Sequence, residues 1–139
     1  MDFTFKWLPF VIVFIANFIL SWLYYSPLVP WFKHWIIGIG GDPNKKEMTK
    51  EDKDNMPRLM IGAVIASILL SYGLQIVIHS MHITSFFGGM QVGLVLWIAF
   101  VITHSLNTQF EGRKPIVLII NNVLYFITYI LFAGIVAIM

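Results

Sequence analysis

The side chains that could do chemistry in this chain fall into a few spaced groups. His79 and His82 stand three apart, with Gln75 one turn before. Two imidazoles at that spacing can ligate a divalent cation, but a zinc site needs three or four strong ligands. No third is near in sequence, so no metal site is expected, and a histidine pair at headgroup level is the simpler reading. His104, Asn107, Thr108 and Glu111 share one narrow helical arc. His104 is the best candidate there for titration near neutral pH; a neutral ring bonded to Asn107 or Thr108 is the expected state. Asn17, Ser21 and Tyr24 lie at i, i+4 and i+7, and Ser67, Ser71 and Gln75 at i, i+4 and i+8. Asn121, Tyr125 and Thr128 form one more face, with Asn122 beside it. Such amides and hydroxyls can bond helix to helix, at about 0.6 kcal/mol each on average. They can equally line a route or pocket for a small solute or ion, and both readings stay open.

Other chemistries find no support. Cysteine is absent, which removes disulfides, thiolate metal sites and cysteine nucleophiles. There is no nucleophile–base–orienter set, phosphate loop or His-Glu-x-x-His pair. Neither an enzyme nor a cofactor is therefore expected. Glu111 with Arg113 and Lys114 reads as a solvated helix end.

The elements that must position these groups emerge from composition. Of 139 residues, 58% are hydrophobic and only 12% charged, and the mean hydropathy is +0.81. A soluble domain is nearer half apolar and a quarter charged, so the bilayer must be the solvent and a partner. The net charge of +2 belongs to loops and gives no support to nucleic-acid binding. A spanning helix needs about 20 mostly apolar residues. Four runs qualify, at about 7–25, 59–78, 84–110 and 116–139, with a loop at 26–58, all in one domain. The spacing predicts an all-α polytopic membrane protein. Pro9, Pro57 and Pro115 fall near expected helix starts, and Pro27 just after the first run. The first run lacks a small-residue cleavage site, so a retained helix is expected.

Eight of the nine Lys and Arg residues lie in the first and third loops; only Lys6 is on the other side. By the positive-inside rule both loops are expected to be cytoplasmic and both termini extracytoplasmic. The stretch Tyr24-Tyr25-Ser26-Pro27-Leu28-Val29-Pro30-Trp31-Phe32-Lys33-His34-Trp35 then sits at the cytoplasmic interface. Aromatic rings prefer that level, and Trp31, Phe32, Trp35 and Ile36 have the spacing of a short interfacial helix. Thr49 reads as the cap of a short soluble helix before the second span. Glu111 is expected to pack against residues 24–35 and fix their angle as a collar.

Tyr24-Tyr25-Ser26-Pro27 followed by Lys33-His34-Trp35 is similar to a Trp-Tyr-Ser-Pro segment followed by Lys-x-Trp. Gly93-Leu94-Val95-Leu96-Trp97-Ile98-Ala99-Phe100 and Asn107-Thr108-Gln109-Phe110-Glu111-Gly112-Arg113 carry the same likeness onward. Together they resemble the small bacterial four-span membrane proteins of domain-of-unknown-function family 1761. The resemblance implies four helices and an inner-membrane location, and no established activity.

Small residues add an expectation about packing. Gly89 and Gly93 form a GxxxG pair, Ala63, Ser67 and Ser71 a ridge, and Ala133 and Ala137 another. Such ridges let helix backbones approach closely. Asn107 is expected to be buried against a neighbouring helix. Four helices leave little room for an internal path, so the leading expectation is a homo-oligomeric pore or carrier. The alternative is a non-transport accessory or scaffold subunit of a membrane complex.

Overall fold

The computed structural model describes residues 1–45 and 49–139. Lys46 and Glu47, part of the charged first loop, lie outside the described residues. Helix α1 (Trp7–Tyr24) is followed by the short α2 (Phe32–Gly38) and the long α3 (Lys50–Ser80). A composite rod comes next: α4 (Phe86–Leu96), a π-helical segment Trp97–Ile102, α5 (Thr103–Asn107) and a 3-10 turn Thr108–Glu111. Helix α6 (Pro115–Ala137) is the last element. The four long rods have the length and apolar composition to cross a membrane. The chain is an all-α, multi-pass membrane protein with a short additional helix after its first span.

The bundle has two distinct ends. At the terminal end the Asp2 amide donates to Ser80 Oγ at 2.6 Å, and Lys6 Nζ donates to the Met139 carbonyl at 3.2 Å. At the loop end, α2 and the turn before α6 meet: Lys114 Nζ donates to the Ile37 carbonyl at 3.3 Å. Helix α6 is the hub, packed against α4, α3, α1 and α2. Its closest neighbour is α4, because Gly89 lies against the Ala133 carbonyl and Gly93 against the Tyr129 carbonyl, where any Cβ would collide with backbone. Lipid offers no hydrophobic drive between helices, so association rests on such close packing and on interhelical hydrogen bonds. The terminal half holds an apolar core of Val13, Leu74, Ile78, Val92, Phe132, Ala133 and Val136. A smaller cluster of Tyr24, Ile120 and Leu124 closes the loop end.

Three sequence expectations shift in the structure. Thr49 does not cap a separate helix; it caps α3 itself. Its hydroxyl accepts from the Asp52 amide at 3.2 Å, and Asp52 accepts from the Thr49 amide at 2.8 Å, a reciprocal capping box. Helix α3 is therefore continuous through Pro57, which stands within it rather than near its start. The box and the charged first turns sustain the helix before hydropathy begins to count. Second, Ala63 is exposed, whereas Ser67 and Ser71 are buried against α1. The ridge is a contact only where α3 lies on α1, and the half of α3 before Ser67 stands away from the bundle.

The third shift is in the composite rod. The expected arc of His104, Asn107, Thr108 and Glu111 assumes 3.6 residues per turn throughout. A π segment adds an extra residue to the turn and rotates the remainder of the rod by about 100°. His104, Asn107 and Glu111 are exposed; the inward positions are Ser105, half-buried, and Thr108, buried. Asn107 is thus not packed against another helix. Gly112 ends the rod in the left-handed conformation (φ 77°), which glycine adopts without strain.

Candidate functional site

A cleft of about 670 Å³ opens between α1, α3 and α6 in the loop-end half of the bundle. It exists because α1 and α3 are zipped only toward the terminal end. Three polar contacts form that zip. Gln75 Oε1 accepts from the Lys6 amide at 3.0 Å, Ser71 Oγ donates to the Phe10 carbonyl at 2.9 Å, and Asn17 Nδ2 donates to Ser67 Oγ at 2.8 Å. The stripe Ser67, Ser71, Gln75 faces α1 at helical spacing and is buried. Past Asn17 and Ser67 the helices diverge, and the gap becomes the cleft.

The lining is amphipathic. Asn17, Ser21, Tyr25, Ser67, Tyr125, Thr128 and Tyr129 bring polar atoms to it. Phe18, Trp22, Met60, Leu69, Leu70 and Leu124 supply apolar surface, and Ala63 and Ala66 form the rim on α3. No charged side chain is among these residues. The Thr128 hydroxyl is buried and has no hydrogen-bond partner among the described residues. A buried polar atom without a partner costs about 1–3 kcal/mol, so Thr128 marks a place where a polar group from outside the chain is favoured.

The wall at the loop end is a hydrogen-bonded aromatic cluster. Asn121 Oδ1 accepts from the Tyr25 hydroxyl at 2.7 Å and from Trp35 Nε1 at 3.2 Å. The Tyr24 hydroxyl donates to the Ile120 carbonyl at 2.8 Å, and Trp31 Nε1 donates to the Tyr24 carbonyl at 3.0 Å. The Tyr25 and Trp35 rings also pack at a tilt, with centroids 4.6 Å apart. These aromatics thus bind α2 to α1 and α6. Gly38 helps, since a Cβ there would strike the Val117 side chain.

The remaining candidates are dispersed. Asn122 faces the composite rod: its Oδ1 accepts from Ser105 Oγ at 2.5 Å and its carbonyl from Trp97 Nε1 at 3.0 Å. Thr108 bonds its own rod through the Ser105 carbonyl at 2.7 Å. His104 and Asn107 lie outside the cleft on the exposed face. Glu111 pairs with Arg113 at 3.4 Å. It shares a cavity with Trp35 but makes no hydrogen bond to residues 24–35 among the described residues; Lys114 and Asn121 hold the collar instead. At the terminal end, both ring nitrogens of His79 and the Gln75 amide nitrogen are buried without partners among the described residues. No cluster of three or more His, Asp or Glu suited to a metal occurs among the described residues.

Sequence reasoning missed Ser105, Trp35 and Trp97 as bonding partners. Ser105 carries no signal without the π segment. Trp35 was legible as an interface residue and Trp97 only as part of the family resemblance, and an indole N–H takes a specific acceptor only when a neighbouring helix supplies one.

The chain belongs to the DUF1761 family, described as proteins of unknown function; the family model matches residues 8–138. No curated protein and no solved structure matches it.

Proposed function

We propose that this DUF1761 protein binds a small amphiphilic solute in the cleft between α1, α3 and α6, as the binding step of a non-catalytic carrier. The observation that carries the reading is the unpartnered Thr128 hydroxyl on the polar floor of an otherwise apolar cleft. A solute with a hydroxyl, ester or amide supplies the missing partner, and its apolar remainder replaces lipid on Phe18, Trp22 and Leu70. A charged group at this depth would be desolvated with no counter-ion, so the part held in the cleft is uncharged. The apolar packing of the terminal half favours a carrier-type pocket over a pore through one subunit.

The setting belongs to the same reading. The loop end faces the cytoplasm of a bacterial inner membrane and both termini face out, because the basic residues concentrate in the two loops. A reporter fused after Met139 that works only in the cytoplasm overturns this orientation. The assembly is a homo-oligomer, for which the unpartnered half of α3 around Gly62 and Ala63 offers room.

Trp22 lines the cleft and reports on it. A brominated long-chain alcohol, titrated into the protein in nanodiscs, is expected to quench a saturable part of the tryptophan emission. That part disappears in Trp22→Phe and in Ala66→Phe, which fills the cleft from its rim. Thr128→Val leaves the fold intact and weakens binding. Quenching that rises linearly with added alcohol and ignores Ala66→Phe refutes the reading.

A further inference from the structure

A second cavity lies at the loop end, on the other side of Asn121. It measures about 580 Å³, is open to the outside, and is bordered by α2, the glycine tail after it, the turn before α6 and the first turns of α6. Unlike the lateral cleft, it is lined by charge: Arg113, Lys114 and Glu111. Its floor is the Trp35 indole bonded to Asn121.

Several features of this cavity favour an anion. The turn passes from a right-handed residue into left-handed Gly112, and successive amides in such a turn form an anion-binding concavity. The Arg113 and Lys114 amides make no backbone hydrogen bond among the described residues. Lys114 is then the N-cap residue of α6, a 23-residue helix with no side-chain cap and no acid in its first turn. The positive end of its dipole is therefore unmatched. Two cations against one anion leave the cavity net positive, and among the described residues Glu111 pairs with Arg113 alone, at 3.4 Å and largely in solvent.

We propose that this cavity binds a phosphate group, with Arg113 as the bidentate partner and Lys114 as the point charge. Phosphate fits better than a spherical ion because the planar guanidinium fork matches two of its oxygens. The volume leaves room for an organic substituent on the phosphate. Glu111 holds Arg113 in the unliganded state, and phosphate takes its place. The site is independent of the lateral cleft. Its chemistry is shared by the headgroup of an anionic phospholipid and by a soluble phosphate compound, and the experiment separates these sources.

The test reads the thermal midpoint of the full chain in nanodiscs of zwitterionic lipid, titrated with inorganic phosphate against chloride at equal ionic strength. A second series replaces part of the lipid with phosphatidic acid. Stabilisation should saturate with phosphate, with phosphatidic acid, or with both, which assigns the source. Arg113→Gln or Lys114→Gln should weaken the response about ten-fold, as expected for loss of one charge-assisted contact. Glu111→Gln frees Arg113 and should strengthen it several-fold, so the proposal remains testable even if a cation variant folds poorly. Lys33→Gln, an exposed cation on α2 that does not line the cavity, should change nothing. A response equal to that of chloride, or one that all these variants share, is an adventitious ion only and overturns the proposal. So does the absence of any response to both phosphate and phosphatidic acid.

Discussion

Replacing Gly93 with alanine should push α4 away from α6, and the size of the effect can be worked from the contact. A Cβ at Gly93 would collide with the Tyr129 carbonyl and stand 2.9 Å from the Ile130 Cα. Both obstacles are backbone, so no side-chain rotation relieves them. Overpacking of this kind costs about 1–3 kcal/mol. Alanine recovers up to about 1 kcal/mol through helix propensity, so the net loss should be about 1–2 kcal/mol. Gly62 and Gly73 are internal controls: a Cβ at either meets nothing within 4 Å. There alanine gains the propensity term without the collision and should be neutral or stabilising. Unfolding in mixed micelles by titrated denaturing detergent measures the differences. Trp97, which packs on Phe126 of α6 with ring centroids 5.0 Å apart, reports on the same interface. Gly93→Ala as stable as wild type, or Gly62→Ala as damaging as Gly93→Ala, would falsify the close α4–α6 approach.

The register after the π segment can be checked with a pair of variants. Ser105→Ala should lose about 0.6–1 kcal/mol with its bond to Asn122, while Asn107→Leu, on an exposed face, should be neutral; the reverse order would mean the rod is not rotated. Asn121→Leu strips the shared acceptor from Tyr25 and Trp35 and should cost about 1–2 kcal/mol. Amide exchange in α2 should rise with it, and unchanged protection there would show that the collar is held by something else. The start of α3 should respond to acid. The Lys45 ammonium, then the Thr49 cap, hold the Asp52 carboxyl down to about 2 from its ordinary 3.8. A depressed carboxylate contributes above its unfolded value and loses that contribution as pH falls through the folded one. Protection of the Asp52 and Lys53 amides should therefore fade between about pH 4 and pH 2, and a loss centred near neutral pH would contradict this assignment.

The sequence by itself determined the solvent, the number of spans and the local punctuation. Twenty-residue apolar runs have one stable destination, and prolines and caps act through the backbone within a turn or two of their own position. That is why Ser67, Ser71 and Gln75 could be read as one polar face, and why Gly89 and Gly93 stood out as candidates for close approach. What periodicity could not reach was phase after an irregularity. The π segment at Trp97–Ile102 packs on α6, and it moved His104 and Asn107 outward while bringing Ser105 in. The cleft was equally out of reach, since it arises where α3 leaves α1, and divergence is a relation between helices that neither helix encodes alone. The same holds for Asn121. An amide in an apolar run announces that it needs partners, but only the docking of α2 against α6 decides that those partners are Tyr25 and Trp35.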